Sequence, residues 1–205
     1  MFMRTRVGAL AALAVTGLAL GATLATPAEA APKAPGFLAA ADLPPHPSSA
    51  WTAGKVTRGA GELGLGVCAK TAVPARSSAW NRDFRTELET GAHQVTVVLP
   101  DTASAKSLVS KLNRDFRTCA TRIEQADPGT EASGKDFGKL SVEEGAHVYG
   151  VQSETSFGAL DVNLMSVGRD GRTVTVVNWG QMGRLTDAPV KAFKKTTVTA
   201  VKKLH

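Results

Sequence analysis

The chain has 205 residues, 43% of them hydrophobic, with a formal net charge of +6. That suits one domain with a core large enough to fold alone. Its two cysteines, Cys68 and Cys119, have no CxxC partner and no histidine at ligand spacing, which argues against zinc; its single tyrosine argues against base stacking on nucleic acid.

The chain opens with "MFMRTRV", then the uncharged apolar run "GALAALAVTGLALGATLA", then "TPAEA". Basic, apolar and small-residue segments in that order predict a secretory signal peptide over residues 1–30, cleaved after Ala30. The alternative is a membrane anchor, but the Ala and Gly content makes the run weakly hydrophobic for a permanent span. No cysteine lies near the site to carry a lipid, and no later stretch is apolar enough to span a bilayer. Loss of Arg4, Arg6 and Glu29 lowers the net charge to +5 over the mature domain, residues 31–205. A basic exported protein tends to meet anionic envelope polymers. In that compartment an even cysteine count points to a Cys68–Cys119 disulfide, worth about 4 kcal/mol in the chain-entropy model; two free thiols are the alternative.

Residues 31–50 form a Pro-rich surface segment with one short helical turn at 37–41, and the Gly-rich stretch 51–68 has room for one or two short strands. Next, Trp80, Arg82, Phe84, Thr86 and Leu88 share one parity, and His93, Val95, Val97 and Leu99 another, on either side of "ETG". This predicts a β-hairpin closed by Pro100. From Asp101 or Thr102, Leu108, Val109, Leu112, Phe116, Cys119, Ala120 and Ile123 trace one helical stripe, stopped by "DPG" at 127–129. "GTEASGKDFGK" reads as a loop, with a short strand possible at 140–144. Three strands follow, at about 146–152, 159–167 and 172–181, the last two joined by a tight turn at Asp170-Gly171. A final helix begins near Asp187 and Pro189 and carries the stripe Val190, Phe193, Thr197, Val201 and Leu204. The expected fold is α+β: a single antiparallel β-sheet with two main α-helices packed on one face, in the order β-β-α-β-β-β-α.

The hexapeptide "NRDFRT" occurs twice, at 81–86 and 113–118. The first copy falls in a strand and the second in a helix, with unlike flanks, so it is not a structural repeat.

Five stretches carry a resemblance: "FLAAADLPPHPSSAW", "FRTELETGAHQVTVVLPD", "VEEGAHVYGV", "VGRDGRTVTVVNWGQMG" and "DAPVKAFKKTTVTAVKKL". In that order they resemble the PknH-type extracytoplasmic sensor domain. Actinobacteria attach that domain to a membrane serine/threonine kinase or export it as a free-standing protein. The resemblance implies an antiparallel sheet with helices, a disulfide-stapled core and a central ligand cleft, with no catalytic residue to carry over. The chain departs from it in lacking a kinase domain and a transmembrane helix, so it would not signal by itself. Its two cysteines allow at most one bridge, where the kinase-attached domain has two.

No nucleophile elbow, metalloprotease, P-loop or dinucleotide pattern is present. Of the four histidines, His205 is terminal and His46 lies among prolines. His93 shares parity with valines and reads as structural. His147 could form an acid-base group with Glu143 and Glu144, but a solvated turn is the simpler reading of that pair. The lysines of the final helix, Lys191, Lys194, Lys195, Lys202 and Lys203, lie off its stripe and read as a solvated face, not a nucleic-acid surface.

If the helices cover one face, the other is open or occupied. Strand parity then gathers Tyr149, Asp161, Asn163, Thr175 and Trp179 there as a ligand-binding face, unless Trp179 is simply core. The reading is a secreted, extracellular, non-enzymatic, monomeric binding module without cofactor. It would take a small molecule or an envelope component as its partner. A secreted hydrolase with an unrecognised site and an envelope interaction protein are the alternatives.

Overall fold

The computed structural model describes residues 34–60, 66–69, 71–74 and 76–205. The expected leader and its cleavage site lie outside the described residues. So does part of the Gly-rich stretch.

Among the described residues, eight antiparallel strands form one sheet. In chain order they are β1 (Thr52–Ala53), β2 (Thr57–Arg58), β3 (Ser78–Arg85), β4 (Gly91–Val98), β5 (Thr130–Leu140), β6 (Ala146–Thr155), β7 (Leu160–Asp170) and β8 (Thr173–Met182). Across the sheet the order is β1-β3-β4-β8-β7-β6-β5, with β2 also paired to β3. The helices are α1 (Thr102–Arg117), α2 (Cys119–Ala126) and α3 (Val190–Lys202). Short 3-10 turns occupy Ala40–Asp42, Gly66–Cys68 and Leu185–Asp187.

The β3–β4 hairpin forms as its alternation predicts. Asp101 caps α1 by accepting the Ser104 N–H at 2.7 Å, and Ala105, Leu108, Leu112 and Phe116 form its buried stripe. The single helix expected over this region is two. At Thr118 the hydroxyl donates to the Arg114 carbonyl, which also accepts the Thr118 N–H, and α2 begins one residue later. Cys119, at that junction, is bonded to Cys68.

The expected loop at 129–139 is instead the edge strand β5, and 141–145 is a turn where a short strand was allowed. The glycines that suggest a loop have other uses. A Cβ on Gly134 would stand 3.6 Å from the Ala120 Cβ of α2, so the helix packs close over the strand. Gly138, at φ +91°, belongs to a β-bulge.

The helices do not share one face. Leu108, Leu112 and Phe116 of α1 and Cys119 of α2 pack with Val95, Val97, Tyr149, Met165, Val167, Val174 and Val176. On the other side Phe193 and Ala200 of α3 pack with Phe84, Val148, Val162, Leu164, Val177 and Trp179, joined by Leu38 and Leu43 of the Pro-rich segment. A Cβ at Gly168 would lie 2.3 Å from Val201 Cγ2, so α3 sits directly on β7. The physical reason is in the central strands. "VTVV" in β4, "LMSV" in β7 and "VTVV" in β8 are apolar on both parities, which requires cover on both faces. The threonines in these runs bond to one another. Gln94, Thr96 and Thr175 are buried on the α3 side, with Gln94 Nε2 donating to Thr175 Oγ1 at 3.1 Å and the two hydroxyls 3.2 Å apart.

Both covered faces correct the expected ligand-binding face. The β7–β8 loop is two residues, Gly171 and Arg172, because Asp170 pairs with Thr173. Such a loop pairs odd positions with even ones. Asn163 therefore faces Gly180, and Leu164 faces Trp179. Tyr149, Asp161 and Asn163 lie on the α1 side of the sheet, whereas Thr175 and Trp179 lie on the α3 side.

Candidate functional site

The α1 side of β5 and β6 gathers the richest set of polar groups. On β6, His147 and Tyr149 are two residues apart and point the same way. Their rings stack at 4.4 Å between centroids, 7° from parallel. One turn of α1 lies against them, and it is the second NRDFRT. Its Asn113 Oδ1 accepts the Tyr149 hydroxyl at 3.0 Å, and Phe116 meets the Tyr149 ring edge-on at 5.9 Å. Arg117 lies near the Tyr149 hydroxyl and Asp136. Positions 113, 116 and 117 share a helix face by their i, i+3 and i+4 spacing. Asp115 points elsewhere, accepting from the Thr71 N–H at 2.9 Å and from Arg122 at 2.7 Å.

The edge strand completes the floor. Asp136 pairs with Tyr149, then the register shifts so that Gly138 pairs with Val148 and Lys139 with His147. The extra residue, Phe137, turns to the α3 side, where its ring closes over Gly150. This bulge lets both Asp136 and Lys139 stand on the face of His147. Asp136 Oδ1 lies 2.6 Å from His147 Nε2 and also accepts the Gly138 N–H at 2.8 Å. Burial pushes the Asp136 carboxyl upward. The His147 and Gly138 hydrogen bonds and the attraction of His147 and Arg117 outweigh it and hold the pKa below the ordinary 3.8. An ionised Asp136 only accepts, so Nε2 of His147 carries the proton of this bond. Burial pushes the Tyr149 hydroxyl above its ordinary 10.0; Arg117 opposes that shift and Asp136 adds to it.

Above this floor is an open cleft of about 500 Å³, lined in part by Asn113, Lys139, Glu143, Glu144, His147 and Val167. Glu144 fastens its rim: one carboxylate oxygen accepts the Gly171 N–H at 2.8 Å and the other lies 3.6 Å from Arg169. Glu143 is exposed, in a left-handed conformation at φ +42°. Among the described residues, neither Lys139 nor Glu143 is ion-paired. No group of three or more His, Cys, Asp or Glu among the described residues is placed to hold a metal.

Of the five residues expected to bind ligand, only Tyr149 belongs to this floor, and it is 2% exposed. Asp161 is exposed at the start of β7. Asn163 covers Gly180, where a Cβ would meet its Oδ1 at 2.6 Å. Thr175 is buried in the Gln94 network, and Trp179 is core at 2% exposure. His93 behaves as its parity suggests, with Nδ1 at 2.5 Å from Asp83 across the β3–β4 pair. Sequence reasoning missed Asn113, Asp136, Arg117 and Lys139. The repeated hexapeptide was a signal for two of them; the other two lay in the stretch read as a loop.

These features define an α+β protein with one antiparallel sheet covered on both faces and a polar cleft between the end of α1 and the β5–β6 edge. No family model matches the chain, and no curated protein matches it. Among solved structures it is similar to the extracellular domain of PknH from Mycobacterium tuberculosis, at 16% sequence identity and a TM-score of 0.41, over 76% of this chain and 87% of that one.

Proposed function

We propose that the chain is an exported, non-enzymatic, sensor-like binding module of the cell envelope, and that its ligand occupies the His147 cleft. One observation carries this reading: the cleft has a fixed polar floor and a rim on which Lys139 and Glu143 have no ion-pair partner among the described residues. Asp136 holds the imidazole, Tyr149 stacks on it, and Asn113 holds Tyr149. Small-molecule clefts obtain specificity from a few pre-oriented polar groups, here Asn113 and His147 in the lining. Lys139 and Glu143 suit a small polar ligand bearing an anionic group, a cationic group, or both. The leader read from residues 1–30 and the Cys68–Cys119 bond support export. No helix among the described residues is long and apolar enough to cross a membrane.

The Asp136–His147 pair also favours a second reading, a hydrolase. A carboxylate orienting an imidazole is a general-base arrangement. The binding reading takes the same pair as a rigid floor, with Nε2 committed to Asp136 and one ring face to Tyr149.

The test is native mass spectrometry of the protein purified from culture supernatant. A retained small molecule is expected on the wild type. It should be absent from the Lys139→Ala, Glu143→Ala double variant, whose changes are at exposed positions and should leave the melt unchanged. A wild type with no retained molecule and no mass shift in envelope extract overturns the proposal. Conversion of the retained molecule by wild type but not by His147→Ala replaces it with the hydrolase.

A further inference from the structure

A second site lies on the opposite face of the sheet, where the Pro-rich segment crosses the end of β8. One cavity, of about 300 Å³, has Trp179 in its wall and carries His46, Trp51, Gln181 and Asp187. A neighbouring one, of about 530 Å³, shares Pro45, His46 and Trp51 with it. Both fall in or near the usual range of ligand sites, about 300–1,000 Å³.

The chemistry of the lining selects the ligand. No Lys or Arg lines either cavity, so nothing there attracts an anion. Half-buried Trp51 is held in place because its Nε1–H donates to the Pro44 carbonyl at 2.7 Å. That bond uses the polar edge of the indole, leaving its π face for apolar contact. The polar groups are short-range and bifunctional. Ser48 N–H donates to His46 Nδ1 at 3.2 Å, which puts the neutral imidazole's proton on Nε2 as a donor. Gln181 supplies a donor and an acceptor, and exposed Asp187 supplies carboxylate oxygens. Asp187 without a basic neighbour disfavours an anion, and the imidazole and amide donors beside it call for acceptors that a simple cation lacks, so the matching groups are hydroxyls, which donate and accept at once. The ligand's C–H groups would lie on the indole and its hydroxyls on the rim.

We propose that the Trp51–Asp187 groove is a binding site for neutral saccharide, separate from the His147 cleft. The experiment titrates the mature chain, residues 31–205, with β-1,4-linked trisaccharides of glucose, mannose and N-acetylglucosamine. Binding is followed by indole N–H resonances and tryptophan fluorescence. At least one trisaccharide should shift the Trp51 resonance. Trp51→Ala and, separately, Asp187→Asn should weaken that binding by at least about tenfold. Lys139→Ala, in the other cleft, should leave it unchanged. Asp187 is exposed, so its amide variant remains informative if Trp51→Ala fails to fold. The proposal is overturned if none of the three sugars shifts Trp51 at millimolar concentration. It is equally overturned if the shift survives Asp187→Asn, or if a polyproline peptide binds the groove and the sugars do not.

Discussion

Asp136 contacts His147 at 2.6 Å although its register partner is Tyr149, and the bulge at Phe137–Gly138 brings Lys139, the register partner of His147, to the same face. Without the extra residue, one end of β5 would be displaced by one position and its side chains would change face. The bulge depends on Gly138 at φ +91°. Gly138→Val should lower stability by about 2 kcal/mol, whereas Gly138→Asn, which tolerates positive φ better, should lose less. Denaturant melts of the two variants measure the difference; equal losses would show that backbone strain is not the cause.

Leu164 and Trp179 are cross-strand partners buried under α3. Trp179→Ala should therefore cost roughly 3–5 kcal/mol through the cavity it leaves. Asp161→Ala, at an exposed position, should change stability by no more than about 0.5 kcal/mol. Chemical denaturation checks both, and a Trp179 variant as stable as wild type would remove it from the core.

The Cys68–Cys119 bond ties the Gly66–Cys68 turn to the start of α2 across a separation of 51 residues. Closing a loop of that length stabilises by about 4 kcal/mol in the chain-entropy model. Thiol titration of the unfolded, unreduced protein should find no free thiol, and reduction should lower the midpoint of a urea melt accordingly.

Acid should destabilise the protein through Asp115 and Asp136. Burial raises each carboxyl, but for Asp115 the hydrogen bonds from Thr71 and Arg122 and the Arg122 charge prevail, and its pKa ends below 3.8, as Asp136's does. A folded pKa below the unfolded value means the stabilisation is complete above about pH 4 and is lost as pH falls through the folded values. Asp115→Asn removes an ion pair and should cost about 2 kcal/mol at neutral pH. It should also flatten the acid limb of the stability–pH curve below pH ~4. An unchanged acid limb would assign that limb to other carboxylates.

Export should leave Ala31 as the first residue of the mature protein, given Ala28-Glu29-Ala30 before it. N-terminal sequencing of the supernatant protein decides this. Recovery of the intact chain in the membrane fraction would point to an anchor instead.

Local pattern was sufficient for several elements. Alternation around "ETG" specified the β3–β4 hairpin, and the stripe from Leu108 to Phe116 specified α1 and its inward face. The Asp170-Gly171 signal located the β7–β8 turn to within one residue. These succeed because hydrophobic period and turn chemistry act over a few residues. Cys68 and Cys119, as a pair, could be read from their even number in a chain that opens like an exported one.

Two other matters depended on contacts distant in sequence. Whether α1 and α3 cover the same face or opposite faces follows from the sheet order, which places β4 beside β8 and leaves both sides of the central strands apolar. The cleft depended on a bulge whose glycine resembles a loop residue. It also depended on docking a helical NRDFRT against β6, so that Asn113, Asp136, His147 and Tyr149 meet although Asn113 and Tyr149 are 36 positions apart. A strand's parity tells which residues share a side. Which side is covered, and by what, is decided by the burial that the assembled layers achieve together.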